Sequence, residues 1–185
     1  PELSYDTPNP STAGTSTYDD TYVFNGSMDR YDWKLVGKKE VLVPYNAFKL
    51  AYAKDPYAVT TPKHLNPDFL RWELHRVWVV EATLKEGKRH IYAKRTFYVD
   101  EDSWYALASD QYDARGQLYR SGYLAFTPFY EQPSPGSTSQ FFYDFATGGY
   151  NIIGLLGAYP DGLKFIEPRS ESQWSADALA GSGVR

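Results

Sequence analysis

The chain has 185 residues, which is the length of a single domain. Hydrophobic residues make up 42% of it and aromatic residues 17%, so it can build a folded core and is not intrinsically disordered over most of its length. The longest uncharged run, 145–160, has only 16 residues and contains several glycines, which excludes a transmembrane helix.

The charge balance and the lack of cysteine exclude further classes of protein. The formal net charge is −4, and nucleic-acid binding is disfavoured because it depends on clustered positive charge. Without cysteine there is no disulfide, no thiolate zinc site and no cysteine nucleophile, a composition that fits the cytosol and the periplasm equally. The chain begins at Pro1, so we expect a processed chain or a piece of a longer protein.

The first 26 residues predict an irregular arm. Residues 1–26 are rich in Pro, Ser, Thr and Asp and poor in aliphatic side chains. Near their end, Tyr18, Tyr22 and Phe24 indicate that the arm packs onto the rest of the protein.

Several short elements are predicted on either side of the central region. In chain order they are a hairpin around Gly37-Lys38-Lys39 (33–35 with 40–43), one or two helical turns (46–53), a loop (57–67), a second loop (131–140), three strands (141–145, 150–155 and 163–166) and a short helix (176–180).

The region 71–126 carries the strongest structural signal. Four strand-like runs are separated by turn signals at 86–87, 100–103 and 113–116, a pattern typical of an antiparallel meander. The sequence therefore predicts a mainly β fold, built on a single large curved antiparallel sheet with few short helices. The predicted divisions are an arm (1–26), a β domain (27–167) and a C-terminal tail (168–185).

The turn lengths predict a register for this meander. A slip by one residue would move every side chain of a strand to the other face, so register decides which residues meet. The facing pairs predicted by the three turns are Trp78 with Arg95, Val99 with Trp104, and Asp110 with Arg120.

In this register one face of the meander combines apolar side chains with charged ones. We expect this face to be the inner, concave one, with small residues such as Gly122 leaving room beside the charges. The candidate ligand-binding residues on it are Trp72, Arg76, Trp78, Arg95, Phe97, Trp104, Asp110, Arg120, Leu124 and Phe126.

The charged members of this set allow two interpretations. In the structural one, Asp110 pairs with Arg120 and Arg95, because isolated buried charges are costly. In the ligand-binding one, the surplus positive charge meets an anionic head group while the aromatic residues hold an acyl or polycyclic body. The second interpretation predicts that Arg95→Met keeps the fold and weakens binding of an anionic lipid.

Metal and catalytic motifs are not recognisable in the sequence. His64, His75 and His90 lack metal-binding spacing, and the last two are expected to be solvated strand residues. The acidic run 100–102 lacks the glycine and distal glutamate of a calcium loop. We therefore predict no catalytic residues, no metal, no cofactor and no enzyme activity. A hydrolase or a sugar-binding domain that uses the many tyrosines is the less favoured alternative.

Five motifs in order resemble a bacterial family. They are YDWKLVGKKE (31–40), HLNP (64–67), RWELHRVWVVEATLK (71–85), DEDSW (100–104) and DQYDARG (110–116). They closely resemble the family called domain of unknown function 1329, which is described as outer-membrane lipoprotein-sorting-like. The resemblance runs from about Ser4 to the C-terminus, and the chain is similar to the C-terminal portion of longer family members.

This resemblance implies a half-open antiparallel barrel like that of the periplasmic carrier LolA and the receptor LolB, with an apolar concave face. It implies a non-catalytic domain of the Gram-negative periplasm, or one associated with the outer membrane, that binds a lipid, an acyl chain or a lipoprotein. An outer-membrane or transporter protein is the implied partner, and nucleic acid is not. The alternative is a structural or protein-interaction module whose apolar face is filled by its own segments or by a partner.

Overall fold

The computed structural model describes residues 4–132, 134, 136–160 and 163–182. One antiparallel sheet of seven strands dominates it, and each strand pairs with the next one in the sequence. The strands are β1 (Tyr31–Pro44), β2 (Trp72–Leu84), β3 (Lys94–Asp100), β4 (Ala106–Tyr112), β5 (Leu118–Phe126), β6 (Ser137–Asp144) and β7 (Gly149–Ile153). The α-helices are α1 (Phe48–Ala51) and α2 (Ala176–Ser182).

The predicted mainly β fold, with one curved sheet and few short helices, is confirmed. The helical turns predicted within 46–53 and 176–180 correspond to α1 and α2. Neither these helices nor the short 3-10 turns among the described residues are long and apolar enough to cross a membrane.

The sheet is open but strongly curled. In a flat sheet the four strand spacings between β1 and β5 would separate them by about 19 Å. Instead, the backbone N–H of Ala47, just beyond β1, donates to the carbonyl of Phe126 at the end of β5 over 3.0 Å. The ring of Trp72 meets that of Tyr123 edge-on, with centroids 5.6 Å apart. The side that carries Tyr123 is therefore the inside of the curl, and we call it the concave face.

Different segments cover the two faces of the sheet. The connection between β1 and β2 packs on the concave face, where buried Leu50, Val59 and Leu65 contact Phe141. The N-terminal arm crosses the opposite face, which we call the arm face, and buries Val23 completely. Phe97 and Leu124 of the predicted apolar face lie on the arm face, whereas Trp72 and Phe126 lie on the concave side, so the prediction of one concave apolar face is wrong. The division of the chain at residues 26 and 167 stays a prediction.

The connection between β2 and β3 is longer than predicted. The prediction of a two-residue turn at 86–87 is wrong, because Ala82 rather than Trp78 lies opposite Arg95. This register differs by four residues from the predicted one, and an even shift keeps each side chain on its predicted face. The longer connection carries Tyr92 beneath the arm, where it is fully buried.

Two β-bulges place β4 differently from the prediction. One lies between β3 and β4 and the other between β4 and β5, and each shifts the register by one residue. Asp110 consequently lies opposite Ser121 on the concave face, so its predicted pairing with Arg120 is wrong. Because the two shifts cancel, Arg95 and Arg120 still share the arm face.

Three smaller predictions also differ from the structure. The predicted hairpin around Gly37 is one continuous strand, β1, in which Gly37 has a φ of 145° at a register shift. The predicted loop 131–140 ends earlier, because β6 begins at Ser137. Residues 163–166 form no strand and are exposed, because they have no neighbouring strand to pair with.

The space above Gly122 is filled rather than left free for the charged residues. A Cβ atom at Gly122 would lie 2.5 Å from Cε1 of Phe142, whose ring is buried. We therefore expect Gly122→Ala to lower the free energy of unfolding by about 1–3 kcal/mol, as overpacking does, measured by urea denaturation. Gly181→Ala, where nothing lies within 4 Å, is the matched control. Equal midpoints for the two variants would contradict this prediction.

Candidate functional site

A cavity of about 420 Å³ lies between the arm and the arm face of the sheet. This volume is in the range of small-molecule binding pockets. Its lining is almost entirely apolar, and the main contributors are Phe24, Met28, Trp33, Phe97, Trp104 and Tyr105. We refer to it as the apolar cavity.

Three aromatic rings form one wall of the apolar cavity. Phe97, which projects from β3, is stacked on Trp33 of β1 with ring centroids 5.8 Å apart. Phe24 of the arm meets both rings edge-on, with centroids 5.4 Å away from each. Such pairs add stability beyond the area that they bury. The wall is thus a packed aromatic cluster, and the arm is part of it.

Large apolar side chains are exposed around the mouth of the apolar cavity. Trp104 is 70% exposed, Met28 66% and Tyr22 58%. Trp104 and Tyr22 also have positive φ values of 61° and 53°, which are uncommon for residues other than glycine. Backbone in such conformations tends to occur at ligand-binding sites. The mouth of the apolar cavity therefore combines exposed apolar side chains with uncommon backbone conformations.

Beside the aromatic cluster, Arg95 is completely buried and joins the arm to the sheet. Its Nη1 donates to Asp19 over 2.8 Å, and its Nη2 donates to Asp20 over 2.6 Å and to the carbonyl of Val23 over 3.2 Å. Burial opposes ionisation of Asp19, but contact with His90 and the charge of Arg95 outweigh it and lower the pKa of that carboxyl. Two acidic residues of the arm therefore neutralise Arg95.

Arg120 forms a second buried link between arm and sheet. Its Nε donates to Asp144 over 2.8 Å, and its Nη2 donates to the carbonyl of Gly14 in the arm over 2.7 Å. Its Nη1 donates to the hydroxyl of Tyr92, which in turn donates to Asp20. In this arrangement Arg95 and Arg120 are engaged within the chain and do not face an incoming head group.

The structure separates the ten residues predicted for ligand binding. Phe97 and Trp104 line the apolar cavity, and Leu124 is buried in the cluster that contains Phe97. The other apolar members lie elsewhere: Trp72 against Tyr123, Trp78 beneath the ammonium of Lys38, and Phe126 against Tyr45. The other charged members are Arg76, paired with Glu101 at the surface, and Asp110, which accepts hydrogen bonds from Tyr98 and Ser121.

Nine of the eleven lining residues were not predicted as ligand-binding residues, and they include Phe24, Met28, Trp33 and Tyr105. The aromatic end of the arm was a usable signal, because it predicted packing onto the sheet. That packing is confirmed by Phe24. The path of the arm across the face was not predictable from strand periodicity.

The predicted solvated histidines are both largely buried. His90 lies in the connection before β3, with Nε2 3.2 Å from Asp19. His75 stacks on Tyr45 at 4.0 Å, and its Nδ1 lies 3.0 Å from Asp100. His75, Asp100 and exposed Asp102 bring candidate ligand atoms within 4.8 Å of one another. Hydrogen bonds to Asp100 from His75 and Ser103 account for this group without a metal.

Sequence comparison finds a matching family and a relative. Residues 1–180 match the family described as protein of unknown function (DUF1329). The uncharacterized protein PA3922 of Pseudomonas aeruginosa is 44% identical over 186 residues, which cover 100% of this chain and 41% of that protein. The chain thus spans less than half the length of this relative.

Two crystal structures share the fold. A DUF1329 family protein from Desulfovibrio piger superposes with a TM-score of 0.55 at 18% identity, covering 96% of this chain and 58% of that one. A domain from Vibrio parahaemolyticus, provisionally assigned as an outer membrane lipoprotein-sorting protein, gives 0.52 at 14% identity, covering 95% and 58%.

Proposed function

The chain belongs to the family described as protein of unknown function (DUF1329), and within that family we propose that it is a non-catalytic domain that binds a lipid or the acyl chain of a lipoprotein. The observation that carries this proposal is the apolar cavity of about 420 Å³ with its exposed aromatic mouth. Each methylene group buried there contributes about 0.8 kcal/mol, so an acyl chain binds without covalent chemistry.

We place this function in the periplasm, free or associated with the outer membrane, and we expect an outer-membrane or transporter protein as partner. A chain without cysteine is compatible with that compartment. The fold shared with the Vibrio parahaemolyticus domain supports the proposed association with the outer membrane. Of the residues predicted from the sequence, we retain Phe97 and Trp104 as ligand contacts and add Phe24, Met28 and Trp33.

Native mass spectrometry after mild extraction tests the proposal. We expect a lipid to co-purify with the chain, or an added fatty acid to bind with a stoichiometry of one. If neither extraction nor titration with fatty acid reveals a bound species, the apolar cavity is not a lipid site.

Trp104→Ala tests the mouth of the apolar cavity. We expect a roughly three- to tenfold weaker affinity for a fluorescent fatty acid, because about 1 kcal/mol of apolar contact is lost. The free energy of unfolding should change little, since the side chain is 70% exposed. Trp174→Ala, which removes a similarly exposed indole from the C-terminal region, is the control. Equal affinity in both variants would remove Trp104 from the binding site.

An interaction module is the second candidate, because the chain already covers much of its own arm face. Val23 is fully buried on this face, and the arm is held by the ion pairs of Arg95. Under this alternative, the exposed mouth would contact a protein partner and the cavity would stay empty. A mass spectrum that shows the chain without a bound lipid, together with unchanged fluorescence of the fatty acid, would favour the interaction module.

A further inference from the structure

A second cavity, of about 500 Å³, lies where the start of the arm meets the connection between β2 and β3. Unlike the apolar cavity, it is lined mainly by polar and charged side chains. The charged ones are three basic residues and one acid, Arg30, Lys88, Arg89 and Asp6. We refer to it as the basic cavity.

Arg30 has an unsatisfied donor at this cavity. Its Nε is buried and has no hydrogen-bond partner among the described residues. One terminal nitrogen donates to the carbonyl of Arg89, and the guanidinium stands 5.7 Å from the ring centroid of Tyr5. A buried donor without an acceptor is unfavourable, and the Arg30 side chain would have to turn for its Nε to reach an acceptor in the cavity.

The carboxylates near the basic cavity balance its charge only in part. Lys88 Nζ lies 3.3 Å from Asp29, and Arg89 Nε lies 3.5 Å from Asp6. The Lys88 and Arg89 side chains are 43% and 93% exposed, so both are free to reorient toward a ligand. Three basic groups against two acidic ones leave a surplus positive charge.

We propose that the basic cavity binds a phosphate group, either as free phosphate or as the head group of an anionic lipid. A guanidinium donates two parallel hydrogen bonds to oxyanions, and the ammonium of Lys88 supplies a further positive charge. Phosphate oxygens would give the orphaned Nε of Arg30 its acceptor once the side chain turns toward the cavity. Only the head-group form of this proposal rests on the lipid-binding function proposed above.

The apolar and basic cavities lie close together in the chain. Met28 lines the apolar cavity and Arg30 the basic one, and both belong to the same 3-10 turn. The head-group form of the proposal implies one amphiphilic molecule with its acyl chain in the first cavity and its phosphate in the second.

Isothermal titration calorimetry of the whole chain tests the proposal with three probes. They are inorganic phosphate, dihexanoyl phosphatidylglycerol and zwitterionic dihexanoyl phosphatidylcholine, the lipids kept below their micellar concentrations. The site variants are Arg30→Met and the double variant Lys88→Gln/Arg89→Gln. The control, Lys54→Gln/Lys63→Gln, removes two exposed charges from the connection between β1 and β2.

We expect at least a tenfold loss of affinity for the anionic probe in both site variants and no loss in the control. Phosphate binding by the unaltered chain would identify a free-anion site. Binding of phosphatidylglycerol alone would identify a head-group site. The double variant changes exposed side chains, so its result stands even if Arg30→Met impairs folding.

The proposal is overturned if neither anionic probe binds, or if the site variants bind like the control. A neutral monoacylglycerol, titrated in parallel, reports on the apolar cavity alone. If the monoacylglycerol binds while phosphate and phosphatidylglycerol do not, the phosphate site is overturned and the lipid-binding function stands. If the monoacylglycerol does not bind but phosphate does, the lipid-binding function is overturned and the phosphate site stands.

Discussion

Arg95→Met is expected to lower the free energy of unfolding by about 3–5 kcal/mol at neutral pH and to release the arm from the sheet. The substitution leaves Asp19 and Asp20, each 1% exposed, without their cationic partner. Uncompensated buried carboxylates are far more costly than the loss of a surface pair. Urea denaturation followed by tryptophan fluorescence measures the change. From the sequence alone the fold was expected to survive this substitution, and the buried pairs reverse that expectation.

The effect of Arg95→Met should depend on pH. The pKa of Asp19 is lowered in the folded chain, so its carboxylate adds stability above the unfolded value of about 3.9, and this contribution is lost as the pH falls through the lower folded value. In the variant, protonation of Asp19 removes a buried charge that has lost its partner Arg95. The difference in the free energy of unfolding between the unaltered chain and Arg95→Met should therefore become smaller as the pH falls toward 4.

Two further variants serve as controls for Arg95→Met. Arg115→Met removes an exposed pair with Asp113 and should cost less than about 1 kcal/mol. Adding Asp20→Asn to Arg95→Met should recover part of the loss, because it removes one of the stranded charges. A loss below about 1 kcal/mol for Arg95→Met, or no recovery in the double variant, would show that the arm is not held by these pairs.

Phe97→Ala is expected to lower the free energy of unfolding by about 3–5 kcal/mol and to abolish fatty-acid uptake. The ring is 3% exposed and is the common neighbour of Phe24 and Trp33, so its loss opens the aromatic wall of the apolar cavity. Chemical denaturation gives the first effect and fluorescent fatty-acid titration the second.

The matched control for Phe97→Ala is Phe145→Ala, where the ring is 52% exposed. It should change the free energy of unfolding by less than about 1 kcal/mol and leave uptake intact. If Phe97→Ala unfolds too readily to be titrated, Phe97→Leu keeps most of the volume and should weaken uptake without unfolding the chain. Normal uptake by Phe97→Leu and Phe97→Ala alike would place the ligand elsewhere.

The fold was predictable from the sequence because strand alternation and turn composition are local signals. The face shared by Arg95, Phe97 and Leu124 was found correctly even though the β2–β3 register was displaced. Displacement by an even number of residues leaves side-chain orientation unchanged. Asp110 was misplaced because a bulge adds one residue to a strand, and no pattern of apolar residues marked the bulges beside it.

The candidate site was only partly predictable because part of its lining comes from a segment without periodicity. Phe97 projects from a regular strand, and its face could be worked out by counting. Phe24 lies in the arm and Met28 in the turn that follows it, and the path of the arm depends on the partners of Asp19 and Asp20 rather than on any repeating pattern. The prediction that Arg95 carries surplus charge was wrong for the same reason, because the acids that neutralise it lie in the arm.

The arm's attachment points have a consequence for how the chain folds. Arg95 and Asp19 are separated by 76 positions, Arg120 and Gly14 by 106, and Gln140 and Tyr22 by 118. During synthesis the arm therefore emerges long before the strands that hold it. Contacts of such high sequence separation form slowly, so we expect the meander to assemble first and the arm to dock in a late step. Until the arm docks, the aromatic wall of the apolar cavity is uncovered. We expect the nascent chain to be most prone to aggregate during this interval.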